Sequence, residues 1–168
     1  GVHLPFTEII IAVRTTNLKG TYSEPAAEYI SRFLLGTTLV LVTNRRISRL
    51  RSSGKIIESL RRNKHNFLAK RLLRFMRQKG ALSTQRITLT DIKDLITQRR
   101  PVILTVNAYR LYGIRGTKTR SHAVVAVWFS RKFIYLADPF LRRNVLRVKN
   151  RRLLYALRAP GCGNAIYF

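Results

Sequence analysis

The chain has 168 residues and carries 33 Lys and Arg against 7 Asp and Glu, which gives a formal net charge of +26 at neutral pH. Hydrophobic residues make up 46% of it, which excludes a disordered basic tail, because such tails lack the residues that build a core. The single cysteine, Cys162, excludes an internal disulfide and a cysteine-based metal cluster. We therefore expect one folded domain over residues 1–168, with no cofactor and no metal site.

The first half of the chain shows mainly helical patterns. Ser23 is a good N-cap, and the apolar residues after it recur at helical spacing until Gly36. The predicted elements of this half are a strand over 6–13, a helix over 23–35, a strand or helix continuation over 37–43, a helical segment over 56–79 that breaks near 63–66, and a helix capped at Thr90-Asp91.

The second half shows mainly strand patterns. Its predicted elements are a buried strand over 102–106, a loop over 109–120, a hairpin of strands over 122–129 and 132–137, a strand over 145–148, a short helix or strand over 153–157, and a last strand over 165–168 that closes the sheet. Helices followed by hairpin-connected strands predict an α+β domain with a mostly antiparallel sheet.

Positive charge is concentrated in two runs, over 45–79 and 142–158, and Glu58 is the only acid in either. A charge run often marks a solvated face. On this scale, however, unpaired charge destabilises a compact state unless a polyanion neutralises it, and nucleic acid is the natural polyanion. The candidate nucleic-acid-binding residues are Arg45, Arg46, Arg49, Arg51, Arg61, Arg62, Lys64, Lys70, Arg71, Arg74, Arg77, Arg142, Arg143, Arg147, Arg151 and Arg152.

One constellation in the second half resembles a known family. A Pro-Val-Ile strand begins at Pro101, His122 opens the next strand, and Asp138 precedes a proline after the hairpin partner. This arrangement resembles the papain-like double-glycine peptidase domain of bacteriocin exporters. The resemblance implies a papain-like fold with N-terminal helices packed on the sheet, with His122 as catalytic base and Asp138 as the acid that orients it.

The nucleophile region departs from the family pattern. Ser23 stands where the family has cysteine, Asn17 where it has the oxyanion-hole glutamine, and Glu24 where it has glycine. A serine hydroxyl is far less acidic than a thiol, and a misplaced oxyanion donor can cost about 10²–10³ in rate. We therefore expect a protein without catalytic activity, in which Asn17, Ser23, His122 and Asp138 are vestigial. Ser23 is also an ordinary N-cap, His122 an ordinary strand histidine, and Asp138 an ordinary turn residue.

These observations favour a non-enzymatic nucleic-acid-binding structural protein of the DNA-packaging or nucleocapsid type on an inactivated peptidase fold. It would contact phosphates without sequence specificity and assemble along the nucleic acid, with DNA favoured over RNA. We expect it in a virion nucleocapsid or an intracellular nucleoprotein, since no signal peptide or membrane span is visible. The alternatives are an rRNA-binding ribosomal protein and an active papain-like peptidase that uses Ser23 or Cys162. The high arginine content also hints at a thermophilic source.

Overall fold

A seven-stranded sheet lies at the centre of the computed structural model, which describes residues 27, 28, 30–32, 34, 36–42, 50, 53–115, 120–139 and 145–168. Several predictions lie outside these residues: the strand over 6–13, Asn17, Ser23, and six candidate bases, namely Arg45, Arg46, Arg49, Arg51, Arg142 and Arg143. Within the described part, the prediction of a mixed α+β fold with a mostly antiparallel sheet is confirmed.

Helices and strands are interspersed along the described part of the chain. In order they are β1 (Thr38–Val40), α1 (Ser53–Arg62), α2 (Phe67–Arg77), β2 (Ala81–Ser83), α3 (Leu89–Thr97), β3 (Val102–Asn107), α4 (Ala108–Tyr112), β4 (Ser121–Phe129), β5 (Phe133–Ala137), β6 (Val145–Lys149), α5 (Asn150–Leu157) and β7 (Ala165–Tyr167). A helical segment containing Ala27, Glu28, Ile30 and Ser31 precedes them. The break between α1 and α2 falls at residues 63–66, where Asn66 caps α2 by accepting from the Leu68 and Ala69 amides.

The strands lie in the order β2-β1-β7-β3-β4-β5-β6. The β1–β2 pair is parallel and all other pairs are antiparallel. The predicted last strand over 165–168 is present as β7, but it lies inside the sheet, because it pairs with β1 on one side and β3 on the other. Its residues Ala165 and Ile166 are buried, as an interior strand requires.

Each face of the sheet carries its own hydrophobic core. The front core packs α3, α4 and α5 on alternate strand residues such as Leu104, Val124 and Leu136. The back core packs the segment around Ile30, together with α1 and α2, on the intervening residues, such as Ala123. The domain is therefore a helix–sheet–helix sandwich, in which the period of two along each strand separates the faces.

Two local predictions about helices of the front core need correction. The N-cap of α3 is Thr88 rather than Thr90: its hydroxyl accepts from the Asp91 amide, and the Asp91 carboxylate accepts from the Thr88 amide. The predicted loop over 109–120 begins with the short helix α4. Asn107 starts α4 by accepting from the Arg110 amide, and Gly113, at φ 74°, ends it in the left-handed conformation.

Gly80 is required by close packing. A glycine just after a helix usually adopts the left-handed backbone conformation. After α2, however, the left-handed residue is Lys79, at φ 63°, and not Gly80. A Cβ at Gly80 would overlap the ring of Phe75, which is fully buried. We expect Gly80→Ala to lower the free energy of unfolding by about 1–3 kcal/mol, the usual cost of overpacking a core.

Gly54→Ala is the matched control, because a Cβ there meets open space and alanine favours the helix. Urea unfolding of both variants measures the difference. Equal midpoints for the two variants would show that the Phe75 ring does not lie against Gly80.

Candidate functional site

The described bases of the first run lie on the outer surface of α1, α2 and the turn between them. Arg61, Lys64, Lys70 and Arg77 are exposed. No ion pair joins these four side chains to any residue of the described ranges. Since the opposite sides of both helices carry the back core, their charge points to solvent and can meet a polyanion.

Three other bases of this run have carboxylate partners. Arg62 pairs with the exposed Glu58 one turn earlier. Arg71 Nη1 lies 2.8 Å from Glu28 Oε2, and Arg74 Nη1 lies 3.6 Å from Glu28 Oε1. Glu28 is fully buried and also accepts from Arg32, at 3.2 Å. The expectation that the bases are unpaired is therefore wrong for Arg62, Arg71 and Arg74.

The described bases of the second run lie on β6 and α5. Arg147 is exposed on the back of the sheet edge, and its guanidinium carbon lies 4.7 Å from the Phe133 ring centroid. Arg151 and Arg152 are exposed in the first turn of α5, a helix of the front layer. Among the described residues, the bases of α1 and α2 therefore lie on the back of the sheet and those of α5 on the front, while Arg147 lies on the back at the β6 edge.

Acidic side chains offset little of this surface charge. The described part contains five of them. Glu28 and Asp138 are buried, Glu58 pairs with Arg62, Asp91 caps α3, and Asp94 is exposed on α3. The described surface is consequently strongly positive on both faces.

His122 and Asp138 meet on the front face. His122 Nε2 lies 2.8 Å from Asp138 Oδ1, and both side chains are about 95% buried. The strand register explains their meeting: β4 pairs with β5, so Asp138, just past β5, lies near His122 on the same face as Val124. Sequence reasoning missed a third member, Tyr112 on α4, whose hydroxyl donates to Asp138 Oδ2 and lies 3.3 Å from His122 Nε2.

Tyr112 is held in its neutral form. Burial raises the pKa of its phenol well above the ordinary value, and its hydrogen bond to Asp138 and the negative charge of that carboxylate raise the pKa further. The phenol therefore donates a hydrogen bond to a buried carboxylate. The short helix α4 holds Tyr112 in position for this bond.

We expect Tyr112→Phe to destabilise the protein at pH 8 by about 1.5–3 kcal/mol, the cost of a lost hydrogen bond to a charged group. The loss should shrink above about pH 10, where tyrosine in the unfolded chain ionises. There the native protein binds more protons than the unfolded chain, so wild-type stability falls as pH rises. Urea unfolding at pH 8 and pH 11 measures both effects.

Tyr155→Phe is the control, because Tyr155 is 57% exposed on α5. We expect little change at either pH for that variant. A Tyr112→Phe deficit that stays constant between the two pH values would contradict the described role of the phenol.

Cys162 is buried, and Arg110 and Ser121 lie close to its thiol. Burial raises the pKa of the thiol, although Arg110 and Ser121 act in the opposite direction. A buried thiol of raised pKa is a poor nucleophile, so the surroundings of Cys162 do not activate it.

Comparison with protein-family models, with curated proteins and with solved structures finds no match for this chain. None of the helices in the described ranges is long and apolar enough to cross a bilayer. Within those same ranges, no group of three or more His, Cys, Asp or Glu side chains is arranged to hold a metal ion.

Proposed function

We propose that the protein is a non-enzymatic structural protein that binds nucleic acid through phosphate contacts. The observation that carries this proposal is the exposed positive charge on both faces of a folded sandwich, in a chain of net charge +26. Such charge releases counterions when it meets phosphates, which favours binding irrespective of base sequence.

The distribution of charge favours coating of nucleic acid over reading of a groove. Bases on α1 and α2 at the back and on α5 at the front give one molecule more than one phosphate-binding surface. A protein with two such surfaces can contact neighbouring turns or neighbouring strands, as packaging requires. DNA is the favoured partner, and copies of the chain would line up along it in a nucleocapsid or a cellular nucleoprotein.

Purification at low salt tests the proposal. We expect nucleic acid to elute with the protein and to be removed by DNase. The ratio of nucleic-acid absorbance to protein absorbance should then fall to the value of free protein. Removal by RNase instead of DNase would support the ribosomal alternative. Protein that elutes without nucleic acid and fails to shift added DNA would overturn the proposal.

A papain-like peptidase is the second candidate, favoured by the 2.8 Å contact between His122 and Asp138. In this candidate the Asp138 carboxylate orients the His122 imidazole ring through Nε2, as a catalytic imidazole requires. Tyr112 contacts the other oxygen of this carboxylate, Oδ2, and so leaves the contact with His122 in place.

A serine-directed fluorophosphonate probe and a cysteine-directed probe test this candidate on folded protein. Labelling by either probe that disappears in His122→Ala would establish the peptidase. Absence of labelling by both would remove it, provided that a known serine hydrolase and a known cysteine peptidase are labelled in parallel.

A further inference from the structure

Among the described residues, no helix packs on the back face of the sheet beyond β4. None of the described residues of β5 or β6 belongs to the back core, which ends at Ala123 and Val125 of β4. On this face Phe133 and Tyr135 of β5 are half-buried, and Arg147 and Lys149 of β6 are exposed. Two strands therefore extend past the helical layer and present their back-facing side chains to solvent.

A β-bulge adds Trp128 to this face. The β4–β5 register shifts between Ala126 and Trp128, so that Val127 is an extra residue. In an unbroken alternation Trp128 would share the front face with Ala126. The bulge instead pairs Trp128 with Tyr135 and returns Phe129 to the front core. Trp128 is 65% exposed, and its ring centroid lies 6.4 Å from that of Phe129. Re-aiming a side chain is a recurrent use of bulges.

The register then places these side chains in rows. Trp128, Tyr135 and Arg147 are cross-strand neighbours, and Phe133 and Lys149 form the next pair. We call these five residues the open sheet face. Adjacent strands lie about 4.8 Å apart, so the aromatic rings are within reach of consecutive bases of an extended chain.

The described charged side chains around the open sheet face are all positive. Arg131 and Lys132 are exposed in the β4–β5 turn, at the same end as Phe133 and Lys149. Asp138, the only acid in the described part of β4–β6 and their turns, is buried on the front face with His122. A phosphate backbone that crosses this surface would meet cations, while its bases would meet aromatic rings.

We propose that the open sheet face binds unpaired bases of single-stranded nucleic acid by stacking on Trp128 and Tyr135, with Arg147 and Lys149 on the phosphates. Base pairs within a duplex are covered by their neighbours, whereas every unpaired base has an exposed ring face that can stack on an aromatic side chain. This site rests on the proposed nucleic-acid-binding function and adds a surface that distinguishes single strands from duplexes.

The chain's single tryptophan makes the test direct. Nuclease-treated protein is titrated with a fluorescein-labelled 15-nucleotide oligothymidine and, separately, with a 15-base-pair duplex, by anisotropy. Unlabelled samples are followed by Trp128 fluorescence. We expect oligothymidine to quench this fluorescence and Trp128→Ala to weaken oligothymidine binding by roughly 5- to 150-fold. Trp128→Phe should retain most of the affinity, and duplex binding should change little in either variant.

Tyr155→Ala is the matched control, since Tyr155 is an exposed aromatic residue on the front layer. Oligothymidine that binds without quenching, and equally well to Trp128→Ala, would overturn this site and leave the proposed function standing. Failure of both oligothymidine and duplex to bind would overturn both. If Trp128→Ala altered the sedimentation of the protein alone, the face would be a contact between copies, and the proposed site would be wrong.

Discussion

Replacing Glu28 with alanine is expected to lower the free energy of unfolding by about 3–5 kcal/mol, the usual cost of breaking a buried ion pair. Glu28 is fully buried and holds Arg32, Arg71 and Arg74 by its two carboxylate oxygens. Without Glu28, Arg71 loses its carboxylate partner, although only 30% of its side chain is exposed. The substitution also leaves a cavity between α2 and the preceding helical segment. Urea unfolding measures the change.

Glu58→Ala is the matched control because it raises the net charge by the same amount. Its partner Arg62 lies one turn away, and both side chains are mostly exposed, so we expect a change of only about 0.5 kcal/mol. Comparable losses for Glu28→Ala and Glu58→Ala would mean that removal of any acid from this basic chain is costly, and that the buried cluster has no special role.

Removing the exposed bases of the first run is expected to weaken DNA binding strongly. In one variant Arg61, Lys64, Lys70 and Arg77 are all replaced by glutamine. Each lost phosphate contact should reduce the slope of log affinity against log salt by about one, so the slope should fall by up to about four. Fluorescence anisotropy on a 20-base-pair duplex over a salt series gives the slope.

A second fourfold variant controls for net charge alone. It replaces Arg86, Arg99, Arg115 and Arg120, which are also exposed and lie outside both basic runs. We expect a smaller change of slope for this variant. Equal slopes in the two variants would show that affinity follows total charge and that α1 and α2 form no preferred surface.

Local patterns were sufficient to predict much of the central sheet. The apolar run over 102–106 and the alternation over 122–137 gave β3, β4 and β5 with nearly correct bounds, because strands with buried faces leave a period of two in the sequence. The same hairpin geometry places His122 beside Asp138. The break near 63–66 was also visible, since Asn66 is a strong N-cap.

Features that depend on contacts between residues far apart in the chain could not be predicted from the sequence. The position of β7 inside the sheet depends on its pairing with both β1 and β3, and no short pattern encodes two partners. Tyr112 became part of the His122–Asp138 cluster only because α4 turns back over the sheet. Asn107 and Gly113, which begin and end α4, were the signal that was available in the sequence.

Which bases have a carboxylate partner could be learned only from the fold. In sequence, Arg71 and Arg74 are equivalent to Lys70 and Arg77, but the fold brings Glu28 to the first two. Likewise, the face on which Trp128 lies depends on a single extra residue in β4, which hydrophobic alternation alone does not locate. The candidate interface thus divides into bases that stabilise the fold and bases that remain for a ligand.

The most direct test of nucleic-acid binding through phosphates is the affinity of nuclease-treated protein for two duplexes of unrelated sequence between 50 and 200 mM salt. With about 6–10 phosphate contacts, the affinity for both duplexes should fall by about 10³- to 10⁵-fold, with the same slope. An affinity that does not change with salt, or that exists for only one of the two sequences, would contradict it.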